Sequence, residues 1–270
     1  MKNPEKYDKL LHWFGRLQHA VVAFSGGVDS TFVLAVAQKV LGEKVIAYTI
    51  KTPYIPLWEV EEAVDFCKKN GIRHKVVHTG ILPEIMNNPE NRCYLCKKHL
   101  FSLLKKEAQQ EGISIVLDGT NADDSGIYRP GLAALQELGI RSPLLENGIT
   151  KEEVRDFSGN LALPTAGKPS YACLLTRLPY HYEIKTEELE RIEKAERYLA
   201  CLGYGASRVR HHGSLARIEL DRDSISAFVN SETVSKVVSH LRNLGYEYIT
   251  VDLEGYRTGS FDKNLTQSAP

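Results

Sequence analysis

The stretch AVVAFSGGVDS, residues 20–30, decides the fold of this chain. It begins with an unbroken apolar run, residues 20–24, of the kind found in strands that are buried on both faces of a parallel sheet. Two glycines follow at once, and residues 31–41 then repeat apolar side chains at helical spacing. The stretch therefore predicts a strand, a glycine-rich turn and a helix in immediate succession.

The turn between this strand and this helix, residues 25–30, has the composition of an anion site. Gly26 and Gly27 allow positive φ angles and a close approach of the backbone to a ligand. Backbone N–H groups of such a loop and of a helix N-terminus offer partial positive charge to phosphate. The turn has neither a Walker lysine nor the spacing of a dinucleotide motif. We call residues 25–30 the phosphate loop; the alternative is an ordinary glycine-rich connection.

Further strands and helices alternate on both sides of the phosphate loop. The predicted strands are residues 44–50, 73–78 and 114–118, and the predicted helices are residues 8–19, 57–69 and 96–111. Alternation of this kind is typical of βαβ units. It predicts an α/β fold with a doubly wound parallel sheet.

The segment after the fourth predicted strand is expected to face the phosphate loop. Ligands of open α/β sheets bind at the carboxyl ends of the strands. Gly119 is therefore expected to lie against a bound nucleotide, and Asp123 or Asp124 to meet a metal or the substrate. A solvated polar loop is the alternative for the two aspartates.

The alternation weakens after residue 165, where proline and glycine become frequent. A helix is predicted at residues 186–202, with Thr186 as its N-cap. Three strands are predicted after it, at residues 207–210, 216–220 and 247–251, and two helices, at residues 222–229 and 231–244. We predict a domain at residues 1–165, an active-site loop at 166–185 and a smaller α+β domain at 186–270.

Composition narrows the classes of function. Lysine plus arginine and aspartate plus glutamate both total 34, so no basic excess points to nucleic acid as a partner. No run of 18 apolar residues predicts a membrane helix, and the first residues lack the apolar stretch of a signal peptide. We expect a cytoplasmic protein with no membrane partner.

Three of the five cysteines are candidates for chemistry. Cys93 and Cys96 form a C-x-x-C pair, whose spacing suits zinc, an iron–sulfur cluster or a redox pair. Cys173 lies in the proline-rich loop, and three thiolates can hold a [4Fe–4S] cluster with one iron left open. Cys67 and Cys201 are expected to be small core residues.

The phosphate loop resembles the PP-loop of the ATP pyrophosphatases. Members of that class cleave ATP between the α- and β-phosphates, and the loop holds the departing pyrophosphate. The resemblance implies ATP bound by Ser25, Gly26, Gly27 and Ser30, with Asp29 placing Mg²⁺.

The chain as a whole resembles the LarE family of sulfur transferases from about Val21 to Gly259. The matching segments are residues 25–30, Asp118-Gly119, residues 128–132, Arg141-Ser142, Cys173, residues 177–180, 195–199, 208–210, 216–220 and 251–259. The resemblance implies ATP-dependent conversion of the carboxylates of pyridinium-3,5-biscarboxylic acid mononucleotide into thiocarboxylates, for the nickel-pincer nucleotide cofactor. It also implies a homo-oligomer, a hexamer in the family.

The family has two branches that differ in the source of sulfur. In one branch a single cysteine, which matches Cys173, gives up its own sulfur. Cys93 and Cys96 make this chain resemble the other branch, in which three cysteines hold a [4Fe–4S] cluster and sulfide or another sulfur donor replenishes it. The family resemblance also assigns the substrate's phosphate to Arg208, Arg210 and Arg257, and Glu196 matches a functional position.

Three other functions are compatible with parts of the pattern. A cluster-bearing tRNA thiolase shares the three cysteines, but the chain lacks the basic excess of such enzymes. An amide-forming ligase of the PP-loop class has no need of the cysteines. A nucleotide-binding regulator would bind ATP without releasing pyrophosphate, and a structural zinc site at Cys93 and Cys96 would leave the ATP chemistry intact.

Overall fold

The computed structural model describes residues 1–124, 130–169 and 171–257 of the 270-residue chain. The chain divides into two compact units. The first consists of Met1–Leu82 and Asn91–Tyr171, and the second of Pro83–Glu90 and Ala172–Pro270. Tyr128, Arg129, Thr258 and Gly259, which belong to the resemblance described above, lie outside the described residues.

The first unit is an α/β structure built on a parallel sheet. Its elements are α1 (Pro4–Gly15), β1 (Ala20–Ala23), α2 (Val28–Leu41), β2 (Val45–Lys51), α3 (Leu57–Lys69), β3 (Arg73–His78), α4 (Arg92–Gln110), β4 (Val116–Leu117), α5 (Pro130–Glu137), α6 (Pro143–Glu146) and α7 (Lys151–Asn160). Among the described residues the strand order is β3-β2-β1-β4, and every pair is parallel. The phosphate loop connects β1, a central strand, to α2.

Both faces of this sheet are covered, which explains the continuous apolar run in β1. Successive residues of a strand point to opposite faces. Ala20 and Val22 accordingly pack into one core cluster, with α1, α2 and α7, and Val21 packs into the other, with α4 and α5. The predicted parallel sheet with helices on both faces is confirmed.

The second unit contains a smaller sheet. Its elements are α8 (Thr186–Cys201), β5 (Arg208–His212), β6 (Leu215–Glu219), α9 (Ile225–Phe228), α10 (Ser231–Asn243) and β7 (Tyr248–Val251). β5 and β6 form an antiparallel hairpin, and β7 pairs parallel to β6. Leu199 of α8 and Leu241 of α10 pack on this sheet in one apolar cluster.

The structure differs from the sequence-based expectations at several boundaries. The fourth strand is only Val116–Leu117, and α5 and α7 were not anticipated. Lys185 occupies the N-cap position of α8, so Thr186 is its first helical residue and not its cap. Within the described parts of the chain, no helix is both long enough and apolar enough to cross a membrane.

Candidate functional site

The phosphate loop is shaped by its glycines and held by its serines. Gly26 has a φ of +71°, a conformation that side-chain-bearing residues rarely adopt. Gly27 occupies the N-cap position of α2. The hydroxyls of Ser25 and Ser30 lie 3.0 Å apart, and Ser30 Oγ donates to the Gly27 carbonyl at 3.2 Å. The loop therefore has a fixed shape with the N-terminus of α2 at its end.

Gly119 packs directly on the start of α2, where the sequence placed it beside the nucleotide. A Cβ atom at position 119 would lie 2.9 Å from the backbone nitrogen of Ser30 and 3.1 Å from Cβ of Asp29. Such distances leave no room for a side chain. Glycine is required here because the end of β4 touches the backbone of the phosphate loop.

Asp118 anchors the segment that carries Gly119. Its buried carboxylate accepts hydrogen bonds from Ser142 Oγ at 2.6 Å and from Thr120 Oγ1. Burial raises the pKa of Asp118, while these hydrogen bonds and the charge of Lys97 act in the opposite direction. The carboxylate is thus committed to internal hydrogen bonds and holds the segment against α2.

Asp29, the residue expected to place Mg²⁺, lies in the first turn of α2 and forms an ion pair with Lys151 Nζ. Asn121 Nδ2 also donates to Asp29, at 3.4 Å. Mg²⁺ is commonly held by one or two carboxylates together with substrate phosphates, so this carboxylate suits the ion. Lys151 is a cation beside the phosphate loop that the sequence reasoning missed.

Lys168 is a second cation at the phosphate loop that was missed. Its Nζ donates to the Gly26 carbonyl at 3.1 Å and to Glu62 Oε2 at 2.6 Å. Arg155 Nη2 in turn donates to the Lys168 carbonyl at 2.9 Å. The capping box of Thr150 and Glu153 marks in the sequence that a helix starts at Lys151, but it does not indicate a contact with the phosphate loop. No comparable signal marks Lys168.

Asp123 and Asp124 act as backbone acceptors in the structure. Asp123 Oδ2 accepts from the backbone N–H of Lys151 at 2.8 Å, and Asp124 Oδ2 accepts from that of Asn121 at 3.1 Å. The Asp123 contact ties the segment after β4 to the start of α7, and the Asp124 contact closes a turn within that segment. The expectation that one of the two carboxylates meets a metal or the substrate stays a prediction.

Cys93 and Cys96 lie near the start of α4, three residues apart and thus on one face. Cys96 is half-buried, with its sulfur 3.2 Å from Oη of the buried Tyr54, and Cys93 is exposed. Cys173 belongs to the other unit. Among the described residues, no group of three or more His, Cys, Asp or Glu side chains is arranged to hold a metal ion. Cys93 and Cys96 thus offer a pair of thiols to a metal ion or cluster.

The two remaining cysteines behave differently from each other. Cys67 is buried, as expected, and burial raises the pKa of its thiol to about 12. Cys201 is exposed at the end of α8, so its assignment to the core was wrong. Its place in the last helical turn puts it on the polar face.

Cys173 begins a short turn in the second unit, which we call the Cys173 turn (residues 172–177). The carbonyl of Cys173 accepts from the backbone N–H of Thr176 at 3.1 Å and from its hydroxyl at 2.9 Å. Arg177 ends the turn, is completely buried, and forms a two-pronged ion pair with Glu196 of α8 at 2.9 and 3.0 Å. The Cys173 side chain itself is half-buried.

Arg208 and Arg210 lie two residues apart on β5, as predicted, and both are buried. Arg208 Nη1 donates to the Ser207 carbonyl at 2.8 Å, and its guanidinium lies over the ring of Tyr256 at 5.0 Å. Arg210 pairs with Glu219 at 2.7 Å. Arg257, in contrast, is partly exposed and pairs with Glu254. The three arginines belong to one unit and are held by neighbouring protein groups.

Comparisons with known proteins match one part of the chain to a family profile and most of the chain to three relatives. The profile of the asparagine synthase family matches residues 18–126, which include the phosphate loop and Gly119. An uncharacterized protein of Synechocystis is 44% identical over 264 residues, which is 97% of this chain and 98% of that protein. An uncharacterized protein of Methanocaldococcus jannaschii is 34% identical over 238 residues, which is 88% of this chain and 90% of that protein. Pyridinium-3,5-bisthiocarboxylic acid mononucleotide synthase of Lactiplantibacillus plantarum is 35% identical over 255 residues, which is 93% of this chain and 92% of that protein.

Proposed function

The chain belongs to the LarE family of ATP-dependent sulfur-transferring enzymes, and we propose that it replaces carboxylate oxygen by sulfur in pyridinium-3,5-biscarboxylic acid mononucleotide. The observation that carries this proposal is the phosphate loop with its two cations, in a chain that resembles the Lactiplantibacillus plantarum synthase over 93% of its length. The product is a thiocarboxylate precursor of the nickel-pincer nucleotide cofactor.

The first proposed step activates a carboxylate. A carboxylate oxygen attacks the α-phosphorus of ATP, a new oxygen–phosphorus bond forms, and the bond to the β-phosphate bridge breaks. Pyrophosphate leaves with the bonding electron pair, and the substrate becomes an acyl-adenylate. This step is needed because the oxygen of a free carboxylate is a poor leaving group, whereas AMP is a good one.

The first unit has the groups that this step requires. Backbone N–H groups of the phosphate loop and the ammonium groups of Lys151 and Lys168 offer positive charge to the departing pyrophosphate. Asp29 would hold Mg²⁺, which neutralises phosphate charge when bound. Because Gly119 has no side chain, the segment after β4 packs directly against the backbone of the phosphate loop.

The second proposed step transfers sulfur. A sulfur nucleophile attacks the acyl carbon, a carbon–sulfur bond forms, and AMP leaves with the electrons of the broken carbon–oxygen bond. Cys173 is the thiol that we assign to this step. If Cys173 itself attacks, loss of its Cα proton and cleavage of its Cβ–S bond release the thiocarboxylate and leave dehydroalanine at position 173.

The [4Fe–4S] cluster stays a proposal about the source of sulfur. Cys93, Cys96 and Cys173 would be its ligands, and external sulfide or another sulfur donor would replenish it. In that case Cys173 is retained after each reaction. Metal and sulfide content, together with the intact mass of the protein after turnover, separate this route from the sacrificial one.

We assign the substrate's phosphate to Arg208, Arg210 and Arg257 of the second unit. Guanidinium groups suit phosphate because their planar fork gives two parallel hydrogen bonds. In this proposal residues 1–165 together with Lys168 bind ATP, residues 166–185 also carry the reacting cysteine, and residues 186–270 bind the substrate's phosphate.

The adenylation step is tested by isotope exchange between pyrophosphate and ATP. We expect labelled pyrophosphate to enter ATP only when the biscarboxylic acid mononucleotide is present, because the reverse reaction requires the acyl-adenylate. Tight ATP binding without exchange would instead indicate a nucleotide-binding regulator. Exchange that depends on tRNA would indicate the thiolase alternative.

A further inference from the structure

The side chain of Arg177 closes the Cys173 turn. Its Nη1 donates to the carbonyls of Ala172 at 2.9 Å and Cys173 at 3.3 Å, and to the hydroxyl of Thr176 at 2.7 Å. One nitrogen thus binds acceptors at both ends of the turn that it terminates. Because Arg177 is completely buried, these contacts are shielded from water.

The rest of the Arg177 guanidinium is fixed by Glu196. Nε and Nη2 donate to the two oxygens of this buried carboxylate at 2.9 and 3.0 Å. Glu196 Oε1 also accepts from the backbone N–H of Val209 at 2.7 Å. Val209 lies between Arg208 and Arg210 on β5, so Glu196 connects the Cys173 turn to the strand assigned to the substrate's phosphate.

Other side chains hold the outer parts of the same segment. Asn88 Nδ2 donates to the carbonyls of Leu178 at 3.2 Å and Pro179 at 2.7 Å, just after the turn. Arg210 donates to the carbonyl of Thr176 within it. The backbone that presents Cys173 is therefore held from several directions, with Arg177 at the centre.

The Arg177 guanidinium is buried close to other cations. Burial and the charges of Arg208 and Arg210 lower the pKa of Arg177 to about 9, although Cys173 acts in the opposite direction. A buried ion pair is a poor way to gain stability, since apolar residues of similar volume often do as well.

We propose that Arg177 is a positioning residue for sulfur transfer: it holds the Cys173 turn in one conformation and, through Glu196, in fixed register with β5. This inference deepens the proposed function and rests on it for the nature of the transferred group. Holding reacting atoms at attack distance contributes a large share of a rate, and a displacement of about 1 Å costs about a hundredfold.

The decisive variant is the double substitution Arg177→Met/Glu196→Gln. Methionine fills the volume of the arginine stem, and glutamine keeps an acceptor for the Val209 N–H, so no buried charge loses its partner. The single variant Arg177→Met leaves Glu196 without its two-pronged partner and is expected to lose stability. Glu190→Gln/Lys194→Met removes an exposed ion pair of the same helix and is the matched control.

Two readouts separate positioning from a merely structural role. Pyrophosphate exchange reports adenylation, and the yield of thiocarboxylate per AMP reports sulfur transfer. We expect the double variant to keep its circular dichroism spectrum and its exchange rate, and its thiocarboxylate yield to fall about a hundredfold. Arg177→Lys keeps the positive charge but lacks the planar guanidinium. Its thiocarboxylate yield is expected to lie between those of the double variant and the wild type.

Alkylation of cysteine by iodoacetamide, followed by mass spectrometry, is the readout that does not depend on the proposed reaction. We expect Cys173, which is half-buried, to react faster in the double variant, because a turn that is no longer held in one conformation exposes its thiol more often. Cys201, exposed in the same unit, serves as the internal reference.

Wild-type sulfur transfer in the double variant would overturn the inference, as would a parallel fall of exchange and transfer with loss of structure. An unchanged or lowered ratio of Cys173 to Cys201 alkylation would also overturn it. If the wild type makes no thiocarboxylate, the proposed function fails, and the alkylation ratio still decides the positioning role.

Discussion

Gly119 lies so close to Ser30 that a Cβ atom at position 119 would be 2.9 Å from the backbone nitrogen of Ser30. This contact joins the end of β4 to the phosphate loop, two segments that are about ninety residues apart. It requires a glycine because the neighbour is backbone and cannot move aside as a flexible side chain would. The segment after β4 and the phosphate loop are therefore packed directly against each other.

The first prediction concerns this contact. Gly119→Ala forces the segment after β4 and the phosphate loop apart, and the overpacking is expected to cost about 1–3 kcal/mol of stability. Because the loop moves, we expect the KM for ATP in pyrophosphate exchange to rise. Gly80→Ala is the control, since a Cβ there meets no atom within 4 Å. Equal KM values for the two variants would show that the contact does not shape the ATP site.

The second prediction concerns the cation beside Asp29. Lys151→Gln removes an ammonium group that faces the loop, so we expect the KM for ATP to rise about tenfold, the effect of one lost charged hydrogen bond. Lys236→Gln removes an exposed lysine of a surface ion pair and is expected to leave the KM for ATP unchanged. Unchanged ATP kinetics in Lys151→Gln would limit Lys151 to a structural pairing with Asp29.

The third prediction concerns pH and the start of α7. Burial opposes ionisation of Glu153, but the charge and hydrogen bond of Lys6, the Thr150 N–H and Asn3 outweigh it and lower the pKa of Glu153 to about 2. The unfolded value is about 4.3, so the carboxylate stabilises the fold above that pH, and this contribution is lost as the pH falls toward 2.

Glu153→Gln keeps the capping box and removes the charge. We expect the free energy of unfolding in urea to fall by about 2 kcal/mol near neutral pH, with the difference shrinking below about pH 4. Glu152→Gln, in an exposed pair, is the control and is expected to change stability by less than about 0.5 kcal/mol. A pH-independent difference for Glu153→Gln would contradict the assignment of the effect to charge.

The fourth prediction concerns metal content. If Cys93, Cys96 and Cys173 hold a [4Fe–4S] cluster, protein purified without oxygen contains about four irons and as many acid-labile sulfides. Cys93→Ala is expected to lose them, and Cys201→Ser, which alters an exposed cysteine outside the set, is expected to keep them. One zinc and no iron, or no metal at all, would leave Cys173 as a sacrificial donor.

Local sequence was sufficient for the centre of the first unit. The run of residues 20–24 and the glycines after it predicted β1, the phosphate loop and α2, because a strand buried on both faces needs continuous apolar residues. The family resemblance is confirmed by the full-length relatives. The alternating arginines of β5 were also placed correctly on one strand.

Tertiary contacts account for what the sequence did not show. Lys151 and Lys168 reach the phosphate loop from segments more than one hundred residues away, and nothing local marks such a contact. Arg177 belongs to a segment that matches the family, but the sequence does not predict its role, since a buried arginine resembles a surface one until its partners are known. Cys201 was misplaced because its apolar neighbours suggested a core position, whereas the last turn of α8 exposes it.

The central claim is that this chain exchanges carboxylate oxygen for sulfur at the expense of ATP. The direct test is mass spectrometry of pyridinium-3,5-biscarboxylic acid mononucleotide after incubation with the protein, ATP and Mg²⁺, with Cys173→Ser and Cys201→Ser in parallel. The account predicts the mass increase of an oxygen-to-sulfur replacement with the wild type and Cys201→Ser, and none with Cys173→Ser. An unmodified nucleotide in every reaction, or equal conversion by Cys173→Ser, would contradict it.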